Sequence, residues 1–436
     1  MKVSYVVTEN VSDKVMKRKL IQTKACFALL MSVPVLMPDP LVAADDAADI
    51  RSVAASNRHF ALKLYRQLKE EEGNLFLSPY SISSALAMTY GGARGETAKE
   101  MAKTLDFNLP QERLHAAFAG LDSSLNVVGV KGGVELSTAN ALWPHQDYPF
   151  RKDFLDLIAE SYRSSGQSLD YGKPETARGM INGWVEKQTR EKIKNLIPAG
   201  AIDALTRMVL TNAIYFKGSW ASAFQQKATR DTPFKVAPQK TLTVPMMFQK
   251  GQFGYYQDAD VQILEMPYKG KQVSMFVLLP NQGNTGFRRP PKPLEKKRTL
   301  SDLEAMLSPQ KLSEWMDKVR PAKVDTWLPK FKMTSTFSLG EPLQALGMKK
   351  AFTDADFSGM DGSKRLYLSA VLHKAFVEVN EEGTEAAAAT AAIVGLRSAR
   401  PMGPRFRADH PFLYLICDKS SGNILFLGRY VTPPNR

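Results

Sequence analysis

Cysteine is nearly missing from this chain of 436 residues: Cys26 and Cys417 are the two it has. Cys26 falls in a basic and then apolar N-terminal stretch that reads as a removable leader, which leaves one thiol and excludes an intrachain disulfide in the mature protein. Stability then has to come from the core alone. Histidine is sparse too, and His59, His115, His145, His373 and His410 are scattered, with no two at the spacing of a metal-binding pair. The motifs G-x-S-x-G, H-E-x-x-H, paired C-x-x-C and G-x-x-x-x-G-K-[ST] do not occur. No metal, no cofactor and no enzymatic activity are therefore expected, and the one catalytic arrangement that motif searching leaves open is a Ser-His-Asp set assembled from distant segments.

No Asn-x-Ser/Thr sequon follows residue 44, which suits a bacterial source or an unglycosylated product. There is no internal repeat and no domain-dividing linker. A membrane anchor is not expected either, because the apolar run Ala25–Met37 is too short to span a bilayer and contains Pro34.

What is present is the composition of a globular protein, 44% hydrophobic and 23% charged, long enough for a large core. Lys14, Lys17, Arg18, Lys19 and Lys24 precede the apolar run, and Val42-Ala43-Ala44 closes it with small residues. That layout predicts a secretory signal over residues 1–44, cleaved after Ala44, and a secreted, extracellular (or, if bacterial, periplasmic) domain over 45–436. Removing the leader takes the net charge from +14 to +11, enough to attract polyanions by long-range steering. The most basic segment is Asn281–Thr299, a proline-rich surface loop. It reads either as a solvated variable loop or as a site where Arg288, Arg289, Lys292, Lys296, Lys297 and Arg298 meet a sulfated glycan or other polyanion.

Helical spacing of Phe60, Leu64 and Leu68 predicts a helix over Asn57–Lys69, and Ser78-Pro79 is a cap followed by a first-turn proline. Further helices are predicted over Thr97–Leu105, Phe150–Tyr162 and Pro174–Asn195. Strands are predicted over Arg207–Phe216, Phe253–Gln257, Val261–Tyr268, Gln272–Leu279, Lys323–Phe331, Lys374–Asn380, Phe412–Cys417 and Ile424–Thr432. Helices gather early and strands late, which argues for an α+β fold. Trp143, Trp184, Trp220, Met246 and Met247 read as core filler.

The most informative stretch is VNEEGTEAAAATAAIVGLRS, from Val379 to Ser398. Alanine favours helix, yet a run this small and free of proline is also acceptable inside an existing sheet. Taken with NLFLSPYSISSALAM, VLTNAIYFKGSW, VPMM, LSAVLHKAFVEV and RADHPFLYLI, in this order, it resembles the serpins from about Asn57 to Pro433. The resemblance implies three β-sheets with eight or nine helices and one exposed reactive loop, about residues 381–409. It implies an inhibitory hinge at Glu381, Glu382, Gly383, Thr384, Glu385, Ala386, Ala387 and Ala388, and a reactive bond between Arg397 and Ser398, placed as in antithrombin-type loops. Trp220 and His373 resemble residues at the top of the central sheet, and Ser78 and Ser81 those beneath the point where its strands part.

The function so implied is suicide inhibition of trypsin-like serine proteases by a monomer. Arg397 suits a specificity pocket with aspartate at its base, and the acylated loop enters the central sheet. Fourteen extended residues would carry the tethered enzyme roughly 45 Å. The alternative is a non-inhibitory relative that carries a ligand, scaffolds a complex or acts as a chaperone, but such hinges usually hold bulky, charged or proline residues, and none lies between Ala386 and Ala392.

Overall fold

Phe60, Leu64 and Leu68, three residues chosen by spacing alone, are buried on one face of a single long helix. The structure, a computed structural model, describes residues 40–164, 167–283, 297–384 and 403–433, with the side chains of 40–45 and 127–132 left aside. Ten helices are described: α1 (Pro40–Leu68), α2 (Pro79–Tyr90), α3 (Gly95–Leu105), α4 (Gln111–Gly132), α5 (Lys152–Tyr162), α6 (Pro174–Gln188), α7 (Leu300–Met306), α8 (Pro309–Asp317), α9 (Gly340–Ala345) and α10 (Ser358–Asp361). The last two have six and four residues, so the longer ones number eight, in line with expectation.

In chain order the first strands are β1 (Leu75–Leu77), β2 (Val134–Thr138), β3 (Ala141–Pro144), β4 (Met208–Thr211), β5 (Ala213–Ser219), β6 (Arg230–Ala237), β7 (Lys240–Gln257) and β8 (Val261–Pro267). They are followed by β9 (Val273–Pro280), β10 (Arg320–Pro329), β11 (Phe331–Ser338), β12 (Leu372–Val379), β13 (Gly383–Thr384), β14 (Arg405–Arg407), β15 (Phe412–Asp418) and β16 (Ile424–Tyr430).

These strands form three sheets and a mixed α+β architecture. The largest has nine strands in the order β1-β16-β15-β9-β8-β7-β10-β14, with β6 on β7. A five-stranded sheet runs β11-β12-β13-β5-β2, and β3 pairs with β4 in a third. The main core lies between the two larger sheets and α2, with Phe76, Phe216, Phe426 and Tyr414 among its rings. A smaller cluster lies under α6, where Ile181 and Val185 pack with Trp143, Tyr215 and Phe376. Cys417 is a free, buried thiol whose pKa burial pushes up to about 12, so it behaves as a small apolar residue.

Candidate functional site: the hinge and the seam of the central sheet

Two strands that run parallel, β5 and β12, pair directly over only three positions, Ala213 with Lys374, Ile214 with Ala375 and Tyr215 with Phe376. Beyond Tyr215 the two part, and β13 lies between them. Thr384 pairs with Val379 on one side and Gly218 on the other, and Gly383 pairs with Ser219. The chain reaches this gap by reversing after β12, with the Asn380 side-chain oxygen accepting from the backbone N–H groups of Glu382 (3.0 Å) and Gly383 (3.2 Å). Only glycine fits at 383, since a Cβ there would sit 2.0 Å from the carbonyl oxygen of Gly218.

Thr384 is fully buried, and its hydroxyl lies 2.8 Å from that of Tyr268. Trp220 stacks on Tyr268 with ring centroids 4.6 Å apart, while its indole N–H donates to the Asn380 carbonyl at 3.0 Å and its backbone N–H to that of Glu382 at 2.8 Å. Glu381 locks the turn from below. Its carboxylate accepts from Lys330 Nζ at 3.0 Å and from Thr229 Oγ1 at 2.8 Å. Burial would raise this carboxyl, but the bonds from Lys330 and Thr229 outweigh burial and hold it below the ordinary range.

At the other end of the parting strands lies a buried polar knot. The backbone N–H of Ser78 donates to His373 Nε2 at 3.1 Å, which leaves Nδ1–H to donate to the Asn212 side-chain oxygen. Asn212 Nδ2 donates to Ser81 Oγ and to Asn140 Oδ1, each at 2.8 Å. Ser78 caps α2 by accepting from Ser81 N–H and gives its own hydroxyl to the Leu425 carbonyl at 2.6 Å. Complete burial holds His373 neutral, its pKa lowered to about 3.

The sequence reading grouped His373 with Trp220, and the structure separates them. His373 belongs with Ser78 and Ser81, level with Asn212 in the break between β4 and β5, and Trp220 lies about 25 Å further along the sheet at 3.3 Å per residue. Tyr268, Lys330, Thr229, Asn140 and Asn212 also belong to the site and were not singled out. Asn212 left a trace in the sequence, an amide in the middle of the apolar run Val209–Phe216. Of the other expected residues, Glu385, Ala386, Ala387, Ala388, Arg397 and Ser398 lie outside the described residues, as do Arg288, Arg289, Lys292 and Lys296. Arg298 is already engaged by Asp260, with Nε and Nη2 at 2.7 and 2.6 Å from one oxygen. Among the described residues no group of three or more His, Cys, Asp or Glu could hold a metal, and no helix is long and apolar enough to cross a membrane.

Residues 55–433 match the family described as serpin (serine protease inhibitor). This chain is a serpin. It is 43% identical over 396 residues to the leukocyte elastase inhibitor of Bos taurus, covering 88% of this chain and all of that one. Among solved structures, Serpin48 of the insect Tenebrio molitor superposes with a TM-score of 0.75 at 33% identity, covering 88% of this chain and 98% of that one. Human thyroxine-binding globulin complexed with thyroxine gives 0.77 at 33% identity, covering 89% and 100%. The family is described as one of serine protease inhibitors.

The expectation of a secreted or periplasmic serpin is overturned by the curated relatives. The leukocyte elastase inhibitors that this serpin matches at 40–43% identity are intracellular members of the family without a signal peptide. The expected cleavage point also falls within α1, which runs without a break through Ala44. A basic stretch followed by an apolar one is a purely local signal, and here it misled.

Proposed function

We propose that this serpin is a suicide inhibitor of trypsin-like serine proteases whose loop is cut between Arg397 and Ser398. The observation that carries the reading is Thr384, the first residue of the small tract, already seated between β5 and β12. Continuing that register into the inserted state sets Ala386 between Phe216 and Val377, Ala388 between Ile214 and Ala375, and Thr390 between Asn212 and His373. Those neighbours are fully buried or nearly so, which explains why only small side chains occupy alternate positions of the tract. Glu385 falls on the opposite face.

In the reaction, the protease serine oxygen bonds to the Arg397 carbonyl carbon, the peptide bond to Ser398 breaks, and the proton goes to the departing amine of Ser398. An ester now tethers the enzyme to a freed loop. Water would complete hydrolysis, but insertion along the seam carries the ester away from the geometry that hydrolysis needs. Splitting three parallel pairs and gaining antiparallel ladders on both sides of a new strand favours insertion. A polyanion meeting the basic loop would raise the encounter rate in a salt-sensitive way, with Arg298 contributing least because Asp260 already holds it.

Incubation of the protein with trypsin is expected to give a complex that survives denaturant and to release a 39-residue fragment, 398–436, on denaturation. Arg397→Ala should lower the complex at least tenfold. The similarity to leukocyte elastase inhibitors favours a second specificity, an elastase cutting at an aliphatic residue such as Val394. That bond would release 395–436, and the fragment mass separates the two readings. A ligand carrier of the kind represented by thyroxine-binding globulin would give cleavage without any stable complex.

A further inference from the structure

Residues of β5 and β12 alternate between the two cores. Ile214, Phe216, Ala375 and Val377 belong to the main core, whereas Ala213, Tyr215 and Phe376 belong to the cluster under α6. The outer face of the seam is therefore roofed rather than wet: Tyr215 is 1% and Phe376 3% exposed, and Ile181 and Val185 of α6 are buried in the same cluster. The rings of Tyr215 and Phe376 meet across the seam with centroids 6.2 Å apart, and the ammonium groups of Lys192 and Lys332 lie 5.5 and 5.4 Å from the Phe376 ring. Two residues before Phe376, Lys374 Nζ donates to the Lys194 carbonyl at 2.7 Å, so the chain that follows α6 lies over this face as well. Two residues beyond Tyr215, Lys217 is half-buried and has no acidic partner among the described residues. Glu135 beside it is held by Arg190, and Glu378 across the seam pairs with Lys332 at 3.7 Å.

A strand entering the seam meets this roof with the side chains that do not enter the main core. Extending the Thr384 register sets Glu385 between Lys217 and Glu378, Ala387 between Tyr215 and Phe376, and Ala389 between Ala213 and Lys374. Glu385, the one charge in the tract, thus falls at the rim beside the unpaired Lys217. Insertion moves β5 and β12 from one strand spacing apart to two, about 4.8 to 9.6 Å, and so opens between the two rings a slot that α6 closes from above. A methyl group fits such a slot, whereas a longer side chain would have to lift α6 and a charged one would be buried unpaired. We infer that Tyr215, Phe376 and α6 form a second receiving site for the cut loop, with residues 387–389 as its occupant. The inference rests on the inhibitory reading above and adds that the outward positions of the tract, as well as those facing the main core, decide between inhibitor and substrate. It accounts for alanine at every position from 386 to 389, where burial of one face alone would demand a small residue only at alternate ones.

Ala386→Glu and Ala387→Glu place the same charge on opposite faces of the tract. Each full-length variant is incubated with trypsin, and the denaturant-stable complex, the cleaved product and the rate of cutting at Arg397 are measured. Both variants should be cut within about twofold of the parent rate and yet form about tenfold less complex, since each would bury an unpaired carboxylate. Loss from Ala386→Glu alone, with Ala387→Glu at the parent level, would overturn the outer site and leave inhibition intact. Parent-level complex from Ala386→Glu, or no complex from the parent chain, would overturn the inhibitory reading itself. Ala387→Leu tests the slot without a charge: Phe376→Ala in the same chain should recover about threefold of the complex that Ala387→Leu loses, which a defect in trypsin recognition would not allow. If Phe376→Ala fails to fold, Phe376→Val takes its place, and a folded double variant without recovery would overturn the slot.

Discussion

His373 and His115 are the residues at which acidity should act. Burial lowers His373 to about 3, and burial with the nearby Arg94 charge lowers His115 to about 4. An unfolded histidine takes its proton near 6.5, so between that value and the folded values the unfolded chain binds more protons. Stability is therefore complete above pH 6.5 and falls as pH drops toward 4 and then 3. At pH 5 each histidine should account for a loss of about 2 kcal/mol. Urea midpoints at pH 7.5 and 5 measure the total, and His373→Gln should shrink the difference by about half; an unchanged difference would show that His373 is not held neutral. The knot around His373 was only half visible in the sequence. Ser78 stood out as a cap because its chemistry is local, whereas Asn212 and Asn140 reach Ser81 from breaks between strands far along the chain.

The two-residue strand β13 decides whether the loop can go further. Thr384→Arg would set a guanidinium where a hydroxyl now meets Tyr268 in a fully buried gap, and burying that charge without a partner is prohibitive. The variant should turn from inhibitor to substrate: trypsin recovers its full activity and the denaturant-stable band falls at least tenfold. A band of normal intensity would refute insertion between β5 and β12. No propensity rule could have found β13, since its geometry is imposed by the strands on either side. Other elements were more legible. The start of α2 and strands β8, β9, β15 and β16 follow from capping and apolar runs. The helix predicted to Asn195 stops at Gln188, where Arg190 and Glu191 take positive φ values of 51° and 59°. The predicted strand Arg207–Phe216 is cut at Asn212 by the polar knot. β7 extends over 18 residues although only its last five were foreseen, because Pro245 and Gly251 read as punctuation in isolation.

For the whole molecule, the α+β architecture was readable because many separate motifs agreed on one order, whereas the leader rested on one short stretch and did not survive comparison with the relatives. Limited proteolysis at Arg397 should raise the thermal midpoint by at least 10 °C, as the seam gains a strand; an unchanged midpoint would mean that no strain was stored. The severed tail has its own fate. Its strands β15 and β16 sit in the interior of the nine-stranded sheet, with β9 on one flank and β1 on the other, and nearly every side chain along them is out of contact with water. A nicked molecule should thus migrate on a sizing column as a single particle built from two polypeptides, and part into its pieces only when the entire sheet melts.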